Sequence, residues 1–541
     1  SFHHASPTTT ITLFSTDCKQ QPIGFTLSNS TKMPSVRRYG LFWVASAFAA
    51  ILCSQPKIVA GEASTVACGQ LMQDVHSSLS RSSPLIQDDI CVPDRGVEDV
   101  QSAIQDFSSS DGETAWKFLT GIARSETFLN EYWQKKPFLI RAKDNGGWSK
   151  SCFTVERDLR LMDNSYITGY KTAEILRNGT KTDTWALAPL KENPAQRTAW
   201  SDVEDALNGG TIYFNTAGSL WRNLGGLCRM TGYAFGLPPN VNVYCTPPGC
   251  PLSVPLHTDK QDVFVFQSQG AKRWRVFNPP PRSKGKDPLA RGKNGDVLSI
   301  EELGEPLIDT VVQPGDILYV PEGFPHTTDT INPVDGADKS AFNEASIHLT
   351  MGLDANVWCL TLAHMRWSLL QRLNKPFNAD LTDDEVYWKA MGSVPVGFLG
   401  GKAWRSTIQS INEGKGVGSE FQQVVSDQLK DVLVSMEPSR WANTNGDGAE
   451  ELPSHAEMNQ VVDFFVEKHW RSLMETQEEL FKDVDARKEE TLLRAFRGTQ
   501  DQNQIMEDFG EFSNNKAFAE SFRSRRLMNE QRAQMAMKQG S

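Results

Sequence analysis

Two histidines and an aspartate are the residues of this chain best suited, by type and spacing, to act on one centre. His257 and Asp259 lie in Pro255-Leu256-His257-Thr258-Asp259, and His326 ends the run Gly315-Asp316-Ile317-Leu318-Tyr319-Val320-Pro321-Glu322-Gly323-Phe324-Pro325-His326. In extended backbone, positions i and i+2 project to the same side, so His257 and Asp259 can reach one metal ion together. Two imidazoles and one carboxylate on one face of a metal leave coordination positions open. That arrangement suits Fe(II), with room for an oxo-acid and O2. A His-x-Asp pair alone is more often a solvated hydrogen-bonded pair; the distant His326 segment is what raises it to a candidate metal site.

These residues need short, stiff elements to hold them. Gln313 to Asp316 reads as a turn, Ile317 to Val320 as a buried strand, and Pro321 to Pro325 as a second turn that presents His326. Val263 to Phe266 is a strand-like run, as are Ile212 to Phe214, Asn240 to Cys245 and Ser346 to Met351. Short β segments separated by Pro/Gly turns predict a double-sheet jelly roll with inward side chains around a cavity. His348, in the last strand, is expected to line the pocket at most and is not assigned to the metal.

The spacing of Gly315, Pro321, Gly323 and His326 resembles the second motif of the cupins, and Gly270 fits the glycine that closes their first. With Lys272-Arg273-Trp274-Arg275-Val276 and Pro314-Gly315-Asp316, the region resembles the JmjC-domain oxygenases. Among them it is most similar to the ribosomal oxygenases, histidyl and arginyl hydroxylases of ribosomal proteins. Phe128 to Arg141 resembles the opening segment of that family, so the similarity runs from about Phe128 to Leu353. The resemblance implies a double-stranded β-helix core inside an α+β chain, with a catalytic domain over 111–355. It implies Fe(II) held by His257, Asp259 and His326, with 2-oxoglutarate and O2 as cosubstrates. The reaction would be oxidative decarboxylation to succinate coupled to hydroxylation of a protein side chain.

The far carboxylate of 2-oxoglutarate needs a cation, because an unpaired charge in a dry barrel is prohibitively costly. Lys272 sits where the matching family lysine does, and alternation puts Lys272 and Trp274 on one face and Arg273 and Arg275 on the other. Asn242 and Tyr244 fall where the family lines its cosubstrate pocket, one residue out of step with the spacing to His257. JmjC-type histone lysine demethylation is the alternative within the enzyme class. A non-catalytic cupin that binds or scaffolds a partner is the alternative outside it. The expected partner is a protein or peptide substrate, a ribosomal protein or a histone.

The remainder bounds the picture. The chain has 541 residues, 39% hydrophobic and 22% charged, with a net charge of −11. That describes a globular protein of about two or three domains without a global basic footprint, so direct nucleic-acid binding is not expected. The basic run from Lys516 to Lys538 reads as a solvated helix face. The nine cysteines form no CxxC pair; Cys245 and Cys250 are close enough in sequence to bridge, with free thiols the plainer expectation. Met33, Arg37-Arg38, the apolar run Leu41 to Cys53 and small residues near Ala60 predict a secretory signal over 33–60, with no membrane span in the mature chain. Met33 would then be the initiator, and residues 1–32, within an N-terminal extension to 63, upstream sequence. Ala45-Ser46-Ala47-Phe48-Ala49 resembles a plastid cleavage motif, and the family's usual nuclear or nucleolar location is the alternative. Residues 64–110 read as a linker, Asp111 to Trp133 as helical, and Asn178-Gly179-Thr180 as a glycosylation sequon. Apolar positions recur at helical spacing over 356–541, with a capping box at Thr382 to Glu385. The resemblance makes this region a dimerisation and winged-helix module. Asn443 to Gly448 looks like a calcium loop, but Ser454 stands where a glutamate is required.

Overall fold

In the computed structural model, apolar runs bounded by turn residues become strands, and all strand pairs are antiparallel. The structure describes residues 63–82, 84–108, 111–165, 170–171, 188–189, 197–279, 299–331, 342–377, 384–441 and 450–540. The strands are β1 (Phe138–Ile140), β2 (Tyr170–Lys171), β3 (Ala188–Pro189), β4 (Ile212–Phe214), β5 (Pro239–Thr246) and β6 (Val254–His257). They continue with β7 (Asp262–Gln269), β8 (Lys272–Val276), β9 (Ile308–Val312), β10 (Ile317–Val320), β11 (His326–Asp329) and β12 (Ser346–Leu353). An eight-stranded sheet runs β1-β10-β7-β12-β5-β4-β2-β3, and a four-stranded sheet runs β6-β11-β8-β9. The two face each other as the expected jelly roll.

Register decides what each face carries. In β5 and β12, Tyr244 lies opposite His348, Asn242 opposite Thr350 and Thr246 opposite Ser346; these polar side chains point between the sheets. Val241, Val243, Ile347, Leu349 and Met351 point the other way, into the large core shared with the helices. The inter-sheet space has its own small apolar cluster, which includes Val263, Val265, Trp274, Leu318 and Phe324. Glycine is required at Gly270 (φ 59°), where an added Cβ would come within 2.7 Å of Ala345 O.

The stretch 64–110, expected as a linker, is instead largely helical: α1 (Ala63–Leu79) and α2 (Val97–Phe107) both pack into the core. Asp99 accepts from the Gly96 amide at 2.8 Å to start α2, and Val100, Ala103 and Phe107 are its buried stripe. Its apolar positions are few, and their burial comes from tertiary contact. The single helix expected from Asp111 to Trp133 divides into α3 (Gly112–Arg124) and a π-helical turn, Phe128–Tyr132. Ser125 causes the break, its hydroxyl accepting the Phe128 amide at 3.1 Å. After α4 (Trp200–Gly209) and α5 (Arg222–Phe235), the region beyond β12 is helical, including Leu362–Arg372, Ser419–Met436, His455–Phe464, Arg471–Phe481, Glu489–Phe512 and Lys516–Gly540. Ser454, rejected as a calcium ligand, is the N-cap of His455–Phe464 and forms a reciprocal box with Glu457.

A buried ion network ties the regions together. Arg229 of α5 meets Asp106 of α2 at 3.0 Å and Glu478 of Arg471–Phe481 at 3.0 Å. Tyr233 donates to Glu478 at 2.5 Å. The signal reading over 33–60, the sequon at 178–180 and the loop 443–448 lie outside the described residues, as do Thr382 and Asp383 of the expected capping box. Among the described residues no helix is long and apolar enough to cross a membrane.

Candidate metal centre

His257 closes β6, and Asp259 follows two residues past the strand end, just before a bend at Lys260. His326 opens β11, directly opposite His257 in register. The turn before it is held to the first half of the site, since the Gly323 amide donates to Asp259 O at 3.0 Å. The three side chains offer ligand atoms all within 4.8 Å of one another. His257 Nε2 stands 3.8 Å from Asp259 Oδ1, and His326 Nε2 stands 3.5 Å from Asp259 Oδ2.

The ring orientations are set from behind. His257 Nδ1 lies 2.7 Å from Pro255 O, and His326 Nδ1 lies 3.0 Å from Phe324 O. A carbonyl can only accept, so each Nδ1 carries a proton, and Nε2 is the ring nitrogen left to face the centre. Both imidazoles are buried, and Asp259 is 14% exposed. The donor set is therefore two imidazole nitrogens and one carboxylate, converging from one side.

The wall beside the triad is aromatic. The Trp274 ring stacks on His326 with centroids 5.7 Å apart and meets His348 edge-on at 5.2 Å. His348 stacks on Tyr244 at 4.8 Å and 6°, and Tyr244 meets Tyr213 at 4.8 Å. His348 belongs to this wall, outside the triad. Burial, then the charges of Lys272 and His326, hold its pKa well below the ordinary histidine range. His348 Nδ1 and Trp274 Nε1 are buried without a hydrogen-bond partner among the described residues.

Lys272 points between the sheets, as alternation predicts: Lys272, Trp274 and Val276 are buried while Arg273 and Arg275 are not. Its side chain is fully buried, and its ammonium donates to Thr246 Oγ1 at 2.8 Å, its only hydrogen bond among the described residues. Burial pushes its pKa down to about 7. Thr246 in turn contacts Thr211 Oγ1 at 3.1 Å. An ammonium with three donors and, among the described residues, one neutral acceptor suits an anionic, oxygen-rich ligand. Sequence reasoning missed Thr246, though it is the next in-phase position after Asn242 and Tyr244. Asn242 lies on the same face but is partly spoken for: its Oδ1 accepts the Thr216 amide at 3.0 Å. Arg273 pairs with Asp309 on the outer side. There an open cleft of about 810 Å³, lined by Arg141, Lys143, Arg273, Asp309 and Gln313 among others, contains none of the triad. Cys245 and Cys250 are both free and buried.

Comparison with known proteins adds the family. The JmjC domain model matches residues 228–350. The bifunctional lysine-specific demethylase and histidyl-hydroxylase NO66 of Drosophila persimilis is 30% identical over 207 residues, 37% of this chain and 27% of that protein. Ribosomal oxygenase 1 of Danio rerio is 30% identical over 222 residues, 40% of this chain and 38% of that one. The chain thus spans well under half the length of either relative. Among solved structures, YcfD, a ribosomal oxygenase from Escherichia coli in complex with cobalt and 2-oxoglutarate, is 17% identical with a TM-score of 0.28, over 56% of this chain and 70% of that one. Residues 228–350, the stretch that matches the JmjC domain model, span strands of both facing sheets and carry His257, Asp259, Lys272 and His326.

Proposed function

We propose that the chain is an Fe(II)- and 2-oxoglutarate-dependent oxygenase that hydroxylates a protein side chain. The observation that carries the reading is the buried Lys272 ammonium, with its single hydroxyl partner, in the same barrel as the triad. A metal-binding cupin alone would not need a buried cation there. His257, Asp259 and His326 would hold the metal; Lys272 would pair the far carboxylate of the cosubstrate, assisted by Thr246. Tyr244, His348 and Trp274 would wall the cosubstrate and exclude water, with Asn242 at the edge of that wall. The chemistry supplied by such a metal with 2-oxoglutarate and O2 is decarboxylation to succinate and CO2 coupled to oxygen insertion into a C–H bond. The protein's part is to orient the ligands and to neutralise charge in a dry site.

The substrate class follows the relatives' names: a ribosomal-protein side chain first, a histone N-methyl-lysine second. The test is mass spectrometry of succinate formation with Fe(II), 2-oxoglutarate and candidate peptides. A mass gain of one oxygen on the peptide supports hydroxylation, and formaldehyde release supports demethylation. No succinate under any condition favours the binding-scaffold alternative. The helices after β12 are proposed to serve dimerisation, tested by light scattering of the full chain. A reporter fused after Ala63 separates the compartments: entry into the endoplasmic reticulum or plastid supports the signal over 33–60, and nuclear signal supports the alternative.

A further inference from the structure

A buried carboxylate lies behind the turn that carries His326. Asp262, the first residue of β7, is 1% exposed. Its Oδ1 accepts the Tyr319 hydroxyl at 2.6 Å and the Glu322 amide at 3.4 Å, and its Oδ2 accepts Gln134 Nε2 at 3.2 Å. Tyr319 lies in the strand that enters the 321–325 turn, and Glu322 lies in the turn itself. The next residue, Gly323, donates to the Asp259 carbonyl at 3.0 Å. One carboxylate therefore holds the strand and turn that deliver His326, and the same turn holds Asp259.

The brace extends outward. Gln134 has φ 55°, a left-handed conformation uncommon for a residue other than glycine. Its amide donates to the Tyr319 hydroxyl oxygen at 3.1 Å, and its side chain also reaches Ser393 Oγ at 3.4 Å. Asn356 Nδ2 donates to Glu322 Oε1 at 2.6 Å. A residue held off its preferred conformation by hydrogen bonds to Tyr319, Asp262 and Ser393 marks a point where position is enforced.

We propose that Asp262 is a positioning residue of the metal centre, setting the 321–325 turn and through it the donor atoms of His326 and Asp259. The role rests on the metal reading above. The test uses the metal-free full chain, titrated with Mn(II) calorimetrically, beside amide hydrogen exchange over 321–326. Asp262→Asn keeps the shape and removes the charge; Mn(II) affinity should fall ~10–100-fold, and exchange in the turn should quicken. Tyr319→Phe removes one donor and should give a smaller change in the same direction, and it carries the test if Asp262→Asn does not fold. Asp309→Asn, on the outer face, should change neither reading. A folded Asp262→Asn that binds Mn(II) like the parent overturns the role, even if exchange quickens. A parent that binds no Mn(II) overturns the metal reading and this inference with it.

Discussion

The two faces of the eight-stranded sheet are made by the same strands and behave as different materials. Toward the helices, β5, β7 and β12 present Val241, Val243, Phe264, Phe266, Ile347, Leu349 and Met351, a dry packed layer. Toward the smaller sheet, β5 and β12 present Asn242, Tyr244, Thr246, His348 and Thr350. The usual rule for a two-layer β fold, apolar inside and polar outside, is inverted at the site. The inversion is tolerable because the helices cover the outer face, so stability comes from that layer and the inner face is free to carry polar side chains. Stability and activity should then separate by face.

The sharpest break is at the triad. His326→Ala or His257→Ala should abolish succinate formation while the cooperative melt survives; full turnover by either would remove the site. Lys272→Ala comes next: leaving the cosubstrate carboxylate unpaired costs ~3–5 kcal/mol, so the 2-oxoglutarate requirement should rise by about two to three orders of magnitude. Metal content should stay normal, and Lys272→Arg should rescue only in part. The outer face should behave in the opposite way. Phe264 packs against Phe128, Phe235 and Tyr319 with centroids 5.9, 5.7 and 5.1 Å away. Phe264→Ala should lose ~3–5 kcal/mol of stability in denaturant titration, while the folded fraction keeps its turnover per molecule. A Phe264→Ala chain that melts like the parent would undo the division of labour.

A pH titration probes the inner face without mutation. Lys272 is held at about 7 by burial, below its ordinary 10.5, and a dicarboxylate prefers the charged form. Binding therefore takes up a proton above pH 7, and the apparent dissociation constant of 2-oxoglutarate should weaken by up to ~tenfold per pH unit there. Stability of the ligand-free chain has its own sign. Between about 7 and 10.5 the unfolded lysine holds a proton that the folded one has lost. This contribution therefore rises with pH across that window and is lost as pH falls through 7. A flat binding profile from 7 to 9 would mean that the ammonium is already stabilised. The smallest effect belongs to Arg273→Ala: its pair with Asp309 is exposed, so stability should change by less than ~1 kcal/mol and cosubstrate binding not at all.

Much of the site was legible because its parts are local. His257, Asp259 and His326 fall in short motifs whose strand and turn geometry dictates direction, and plain alternation assigns Lys272 inward against Arg273 outward. What could not be read depends on contacts far apart in sequence. The helices within 64–110 have sparse apolar stripes and are stabilised by α5 and its neighbours. In Ser346-Ile347-His348-Leu349-Thr350-Met351 the alternation is visible, yet taking polar as solvent-facing would send His348 the wrong way. The Asp262 brace joins residues from Gln134 to Ser393, and no window of sequence contains both.

The Arg229 network bears on how the protein can be divided. Asp106 comes from before the barrel and Glu478 from well after it, yet both neutralise one guanidinium in α5 that is 1% exposed. A fragment trimmed to 111–355 would leave that charge without either carboxylate, at ~3–5 kcal/mol for breaking a buried pair. It would also strip the helical cover from the sheet. The barrel is thus no detachable cassette: the chain is expected to fold, and to be expressed in soluble form, only when the segments flanking the barrel travel with it.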